Sequence, residues 1–147
     1  MAMRKGYGFR SHTADVELVA HGKTLDDAFA NAALALFDTS ADIAALSKMK
    51  SPSKKIKVKD KSSTLEELLW VMLQDALSIA DAHSLYCYKV NSMKIKESGK
   101  AYSVAAEFSA RKADQEHSVI YVKGVSRFDL KVARRKGLFT VRAVLDV

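Results

Sequence analysis

The sequence predicts an α+β fold: two main helices packed on a largely antiparallel β-sheet. Three observations carry that expectation. Apolar residues recur at helical spacing in two stretches, Leu25 to Phe37 and Leu65 to Leu77. Segments rich in β-branched and aromatic residues flank and separate these stretches. After the second helix the strands follow one another across short glycine-marked turns, which joins them antiparallel. Residues 1–147 are expected to form one domain, a length able to bury roughly two-thirds of the surface its unfolded chain exposes.

Taken in order, residues 6–11 and 16–21 carry Tyr7, Phe9, Val16, Leu18 and Val19 and read as two short strands, or one strand broken at His12–Asp15. Gly22 ends the second. Thr24 is a helix N-cap residue with Asp27 three positions on, and Asp26 and Asp27 suit the positive end of the helix dipole. Leu25, Ala28, Phe29, Ala32, Leu36 and Phe37 form one face, and the five alanines between 28 and 35 allow close approach to a sheet. A short second helix capped by Ser40 is expected over Ala41–Leu46, closed by Pro52.

Ser53–Lys61 alternates Lys55, Lys57, Lys59 and Lys61 with Ile56, Val58 and Asp60, so the lysines share one strand face. That face reads as an exposed or charge-protected edge, or as a comb for phosphates that lacks aromatic residues for base stacking. Ser63 and Thr64 then open the clearest helix, whose stripe runs through Leu65, Leu68, Leu69, Met72, Leu73 and Ala76 to about Ala82. Trp70 lies off the stripe, at a sheet margin or an interface. The remainder reads as strands over Leu85–Lys96, Ala101–Ala110, Ser118–Val132 and Leu138–Val147, the two longer runs continuous or else bent or split, with turns at Gly99 and Gly137.

Composition narrows the function classes. With 48% apolar and 28% charged residues, the chain is of ordinary globular make-up. One cysteine, Cys87, excludes an internal disulfide and reads as a small buried residue. The N-terminal residues lack the apolar core of a secretory signal, and no window approaches the ~18 apolar residues of a membrane span. A cytoplasmic protein with no membrane partner is expected. The net charge of +7 admits an acidic partner such as RNA, and a basic RNA-binding module or RNA-enzyme chaperone using Lys55–Lys61 and Arg134–Lys136 is the alternative reading. Dinucleotide and Walker loops, Cys-x-x-Cys pairs, zinc-spaced histidines and a Gly-x-Ser-x-Gly elbow are all missing. A hydrolase built on His12, Asp15 and Lys123 would lack a nucleophile–base pair.

Two acidic positions stand out. Ser11-His12-Thr13-Ala14-Asp15 packs oxygen and nitrogen ligands between apolar segments, and read alone it is also an Asx or Ser/Thr turn. At the other end, Asp146 follows the apolar run Val144-Leu145, with Val147 and its α-carboxylate beside it. This tail is either a solvated end or, if the last strand pairs with the first, a partner for Asp15. Converging carboxylate and carbonyl oxygens would suit Ca²⁺ or Mg²⁺ rather than zinc. Lys123, in Tyr121-Val122-Lys123-Gly124-Val125-Ser126, reads as a solvent-facing lysine or as one turned to the carboxylates, with Gly124 leaving room for a close neighbour.

These residues together resemble a known family. His12-Thr13-Ala14-Asp15-Val16 is similar to the His-Thr-Ala-Asp opening of the archeases, and Asp26-Asp27-Ala28-Phe29 with Ala32-Ala33-Leu34-Ala35 to the alanine-rich helix that follows it. Leu65-Glu66-Glu67-Leu68-Leu69, Val122-Lys123-Gly124-Val125-Ser126 and Val144-Leu145-Asp146-Val147 look like its second helix, its V-K-A-V-T strand and its terminal V-V-D-I. The resemblance implies an archease-like α+β protein that is not itself an enzyme. It implies an accessory protein that promotes guanylylation and multiple turnover of the tRNA-splicing RNA ligase, with a tRNA methyltransferase as an alternative partner to chaperone. It also implies a divalent-cation site, for Ca²⁺ first and Mg²⁺ or Mn²⁺ as alternatives, on Asp15, Asp146 and Val147, with His12 and Lys123 supporting the site or touching the partner. The chain departs from the family where Arg127-Phe128 replaces the common Tyr-His, and in being basic.

Overall fold

The computed structural model describes residues 6–11 and 15–147. Its elements are β1 (Tyr7–Ser11), β2 (Asp15–Gly22), α1 (Leu25–Ser40), α2 (Ile43–Lys48), β3 (Lys54–Ser62), α3 (Leu65–Ala82), β4 (Leu85–Ser98), β5 (Ala101–Lys112), β6 (Gly124–Val125), β7 (Lys131–Arg135) and β8 (Leu138–Asp146). The fold is α+β with antiparallel pairing throughout, but the strands form two sheets rather than one. The first runs β1-β2-β8-β6, with β7 also on β8; the second runs β3-β5-β4. Strand alternation tells which face is buried and leaves the neighbour open, so the division was not visible in the pattern.

Both main helices begin where the cap chemistry places them. Thr24 Oγ1 accepts from the Asp27 N–H at 3.1 Å, and Thr64 Oγ1 from the Glu67 N–H at 3.1 Å, each cap contributing about 1 kcal/mol. The helices α1 and α3 each touch strands of both sheets. Their stripes, with Phe29, Leu36, Leu68, Met72 and Leu73 at its centre, enter one continuous core. Phe37 of α1 meets Phe108 of β5 edge to face, with 5.1 Å between ring centroids. Gly22 allows β2 to turn directly under α1: a Cβ there would strike the Ala28 nitrogen and lie 2.6 Å from Asp27 Cβ. On the open edge of β4, Asp26 Oδ1 accepts the Ile95 N–H at 2.8 Å, satisfying a donor that no strand pairs.

One expectation is corrected and two open readings are decided. The short helix α2 is capped by Asp42, whose Oδ1 accepts from the Ala45 N–H at 3.1 Å; Ser40 ends α1 and donates its hydroxyl back to the Leu36 carbonyl. Ser118–Val132 is split, one of the readings its length left open. Only Gly124–Val125 and the start of β7 from Lys131 pair in a sheet. The stretch before β6 instead satisfies its backbone against the end of α1: the His117 carbonyl accepts from the Asp42 N–H at 2.9 Å, and the Val119 N–H donates to the Ser40 carbonyl at 3.0 Å. That leaves Val119, Ile120 and Tyr121 exposed despite their strand-like composition. Finally, the last strand pairs with β2, the part of the broken first strand that carries Asp15, which meets the condition for Asp15 and Asp146 to converge.

Two buried groups fit the bulk reading. Cys87 is buried, and burial pushes its thiol up to about 12, so it packs as a small apolar side chain. Arg111, also buried, donates to the carbonyls of Leu46 and Ser51 and lies over the Tyr88 ring, tying α2 to β5. Among the described residues, no helix is long and apolar enough to cross a membrane.

Candidate functional site

The hydrophobic pattern of two strands sets the site. In β2, Val16, Leu18 and Ala20 face the core; in β8, Val141, Ala143 and Leu145 do so. The register that buries both sets pairs Val16 with Leu145 and Leu18 with Ala143, and it places Asp15 opposite Asp146. A slip of one residue would turn either apolar set to the other face. Directly opposite residues project from the same side of a sheet with Cβ atoms about 4.5–5.5 Å apart. Asp15 and Asp146 therefore stand side by side, both half-buried, on the face away from the core. Glu17, further along that face, is engaged by Arg10 at 3.9 Å.

On the other flank of Asp146 lies β6, where Gly124 is its register partner. A Cβ at 124 would lie 3.4 Å from Gln74 Oε1, so the α3 side chain passes close beside β6 at this point. The segment is held from both ends. The Lys123 N–H donates to the Asp146 carbonyl at 2.7 Å and the Ser126 N–H to the Val144 carbonyl at 2.8 Å. From the helix side, Trp70 Nε1 donates to the Val125 carbonyl at 2.7 Å, and Gln74 Oε1 accepts the Val125 N–H at 2.9 Å. Arg127 stacks over the Trp70 ring at 3.9 Å from its centroid. Trp70 thus covers a sheet margin, one of the two readings its off-stripe position allowed. Gln74, one turn further on the same flank, is a clamp that the sequence reading passed over.

Of the other site candidates, Lys123 is exposed and joined to Asp146 through its main chain. Val147 packs its side chain against the core and leaves its main chain next to Asp146. His12 lies outside the described residues. No group of three or more His, Cys, Asp or Glu side chains converges among the described residues. The donor set is oxygen only, two carboxylates on adjacent strands, which fits a hard divalent cation completed by main-chain carbonyls or water and does not fit zinc.

A second carboxyl pair lies elsewhere. Asp60 shares the inward face of β3 with Ile56 and Val58 and meets Asp75 of α3. Burial, and then the hydrogen bond and charge of Asp75, push the Asp60 carboxyl up to about 7. Its position in phase with buried residues was the available signal.

Residues 7–147 match the Archease protein family (MTH1598/TM1083). Protein archease of Aeropyrum pernix is 27% identical over 145 residues, covering 97% of both chains. Protein archease of Sulfolobus acidocaldarius is 27% identical over 147 residues, covering 96% of this chain and 98% of its own. Among solved structures, Methanobacterium thermoautotrophicum protein 1598 superposes with a TM-score of 0.83 at 27% identity, over 98% of this chain and 100% of the other. The Thermotoga maritima protein described as an archease and possible chaperone shares the fold at a TM-score of 0.58 and 18% identity, over 100% of this chain and 99% of its own. The family match spans both the β2 and β8 acids and nearly the whole fold, and the chain belongs to the archease family.

Proposed function

We propose that this chain is a non-catalytic accessory protein of RNA ligation in the cytoplasm, which promotes guanylylation and repeated turnover of the tRNA-splicing RNA ligase. The observation that carries the reading is the pairing of Asp15 with Asp146, acids from opposite ends of the chain set side by side by strand register. Membership of the archease family supports it, and the description of the Thermotoga protein as a possible chaperone supports the broader idea of a protein that assists a partner.

Asp15 and Asp146 would hold a divalent cation, Ca²⁺ or alternatively Mg²⁺ or Mn²⁺, with the main chain at Val147 as a further ligand. Such a cation supplies charge neutralisation and Lewis acidity for phosphoryl chemistry. The exposed Lys123 side chain supplies a positive charge at the rim, suited to a phosphate. Phe128, 79% exposed on the turn after β6, offers an apolar contact for the partner protein.

The test is guanylylation of the organism's own ligase with and without this protein. Stimulation that disappears with Asp15→Ala plus Asp146→Ala is the expected result. No stimulation, or full stimulation by the double variant, overturns the reading.

A further inference from the structure

The outer face of the second sheet carries a feature that the metal site does not use. The middle strand β5 presents Ser103 and Ala105 there, both small. Register places Lys61 and Lys96 on either side of Ser103, and Lys59 and Lys94 on either side of Ala105. The result is a groove of about 400 Å³ with a small-residue floor and two lysines on each wall. All four lysines are exposed. Asp60 borders the groove, but its side chain turns to the opposite face, toward Asp75. The next row along this face holds Glu107, which is taken up by Lys55 at 3.7 Å and Asn91 at 3.0 Å.

We infer that this groove binds the phosphodiester backbone of a single-stranded nucleic acid, independently of the proposed ligase role and of the Asp15–Asp146 pair. Lysines two residues apart on a strand are about 6.6–6.8 Å apart, comparable to the separation of successive phosphates along a nucleic acid strand. The walls belong to strands two positions apart, about 9.5 Å, room for one backbone between them. Lysine contributes point charges suited to phosphates, and the groove holds no arginine fork for carboxylates. No apolar centre of the kind a protein partner needs is present in these rows. No aromatic side chain stands in them either, so bases would not stack and recognition is independent of sequence.

Four phosphate contacts on a single strand predict a log–log salt slope of about −3, or roughly a 50-fold loss of affinity between about 50 and 200 mM salt. The experiment measures anisotropy of a labelled oligouridylate RNA with the full chain across that range, with polyglutamate as a second probe. Lys→Gln at 59, 61, 94 and 96 should abolish the slope, whereas Lys→Arg at the same four positions should keep it. Arg134→Gln, Arg135→Gln and Lys136→Gln, at the end of β7 and in the turn that follows it on the other sheet, should leave it unchanged. Amide shifts on RNA addition should centre on Ser103 and Ala105. Absence of binding at about 50 mM salt, a wild-type slope in the Gln variant, loss of binding in the 134–136 variant, or tighter binding of polyglutamate than of RNA would each overturn the assignment.

Discussion

Replacing Asp15 with Asn separates two opposing effects at the candidate site. Without a cation, Asp15 and Asp146 are like charges on directly opposed residues, an arrangement that destabilises a sheet. At about 4 Å, unit charges repel by ~1 kcal/mol at the dielectric of water and ~4 kcal/mol at an effective value of 20. The pair is half-exposed, so the lower end applies, and Asp15→Asn should stabilise the metal-free protein by about 1 kcal/mol, or ~3 °C in Tm for a chain of this size. With Ca²⁺ at about 100 times its Kd, the wild type gains ~2.7 kcal/mol by mass action. The variant, with one carboxylate left, gains far less. The two proteins should therefore exchange rank between chelator and calcium in thermal melts followed by circular dichroism. A variant less stable than wild type in chelator, or an equal calcium shift in both, would refute the reasoning.

Three other outcomes follow from the geometry. The folded Asp60 carboxyl keeps its proton up to about pH 7, whereas an unfolded Asp releases it near ~3.9. The native state binds more protons in that window, so stability falls as pH rises from about 4 to 7. Asp60→Asn should remove this slope and add about 1–2 kcal/mol at pH 8, discounted for solvent access, read by urea titrations at pH 5 and 8. Gly22→Ala, whose Cβ would meet the α1 backbone, should cost about 1–3 kcal/mol by overpacking and lower the urea midpoint. Gln74→Ala orphans the Val125 N–H at a cost of about 1–3 kcal/mol, and should speed hydrogen exchange at Val125 more than at β8 amides such as Leu145.

The helices were legible because their signals are local. Thr24 and Thr64 cap within three residues of themselves, and each apolar stripe is complete inside its own helix. Gly137, with φ 76 beside Lys136 at φ 53, closes a two-residue hairpin that is equally local. Where the long run Ser118–Val132 would split stayed open because composition measures willingness to be a strand, whereas the backbone of its first part found partners at the end of α1. Asp15 and Asp146 could be singled out as unusual acids beside apolar runs. Their placement side by side depended on β8 pairing with β2.

By itself, the sequence determined the periodic faces, the caps, the turns and the alternation that puts lysines on one side of β3, because each is settled within a few residues. Only the tertiary structure decided that the strands divide into two sheets, that Gly124 of β6 stands opposite Asp146, and that the lysines of β4 complete a groove with those of β3 across β5. Those are choices of partner between segments far apart in the chain. Local propensity is blind to them, and burial of both apolar faces at once selects them.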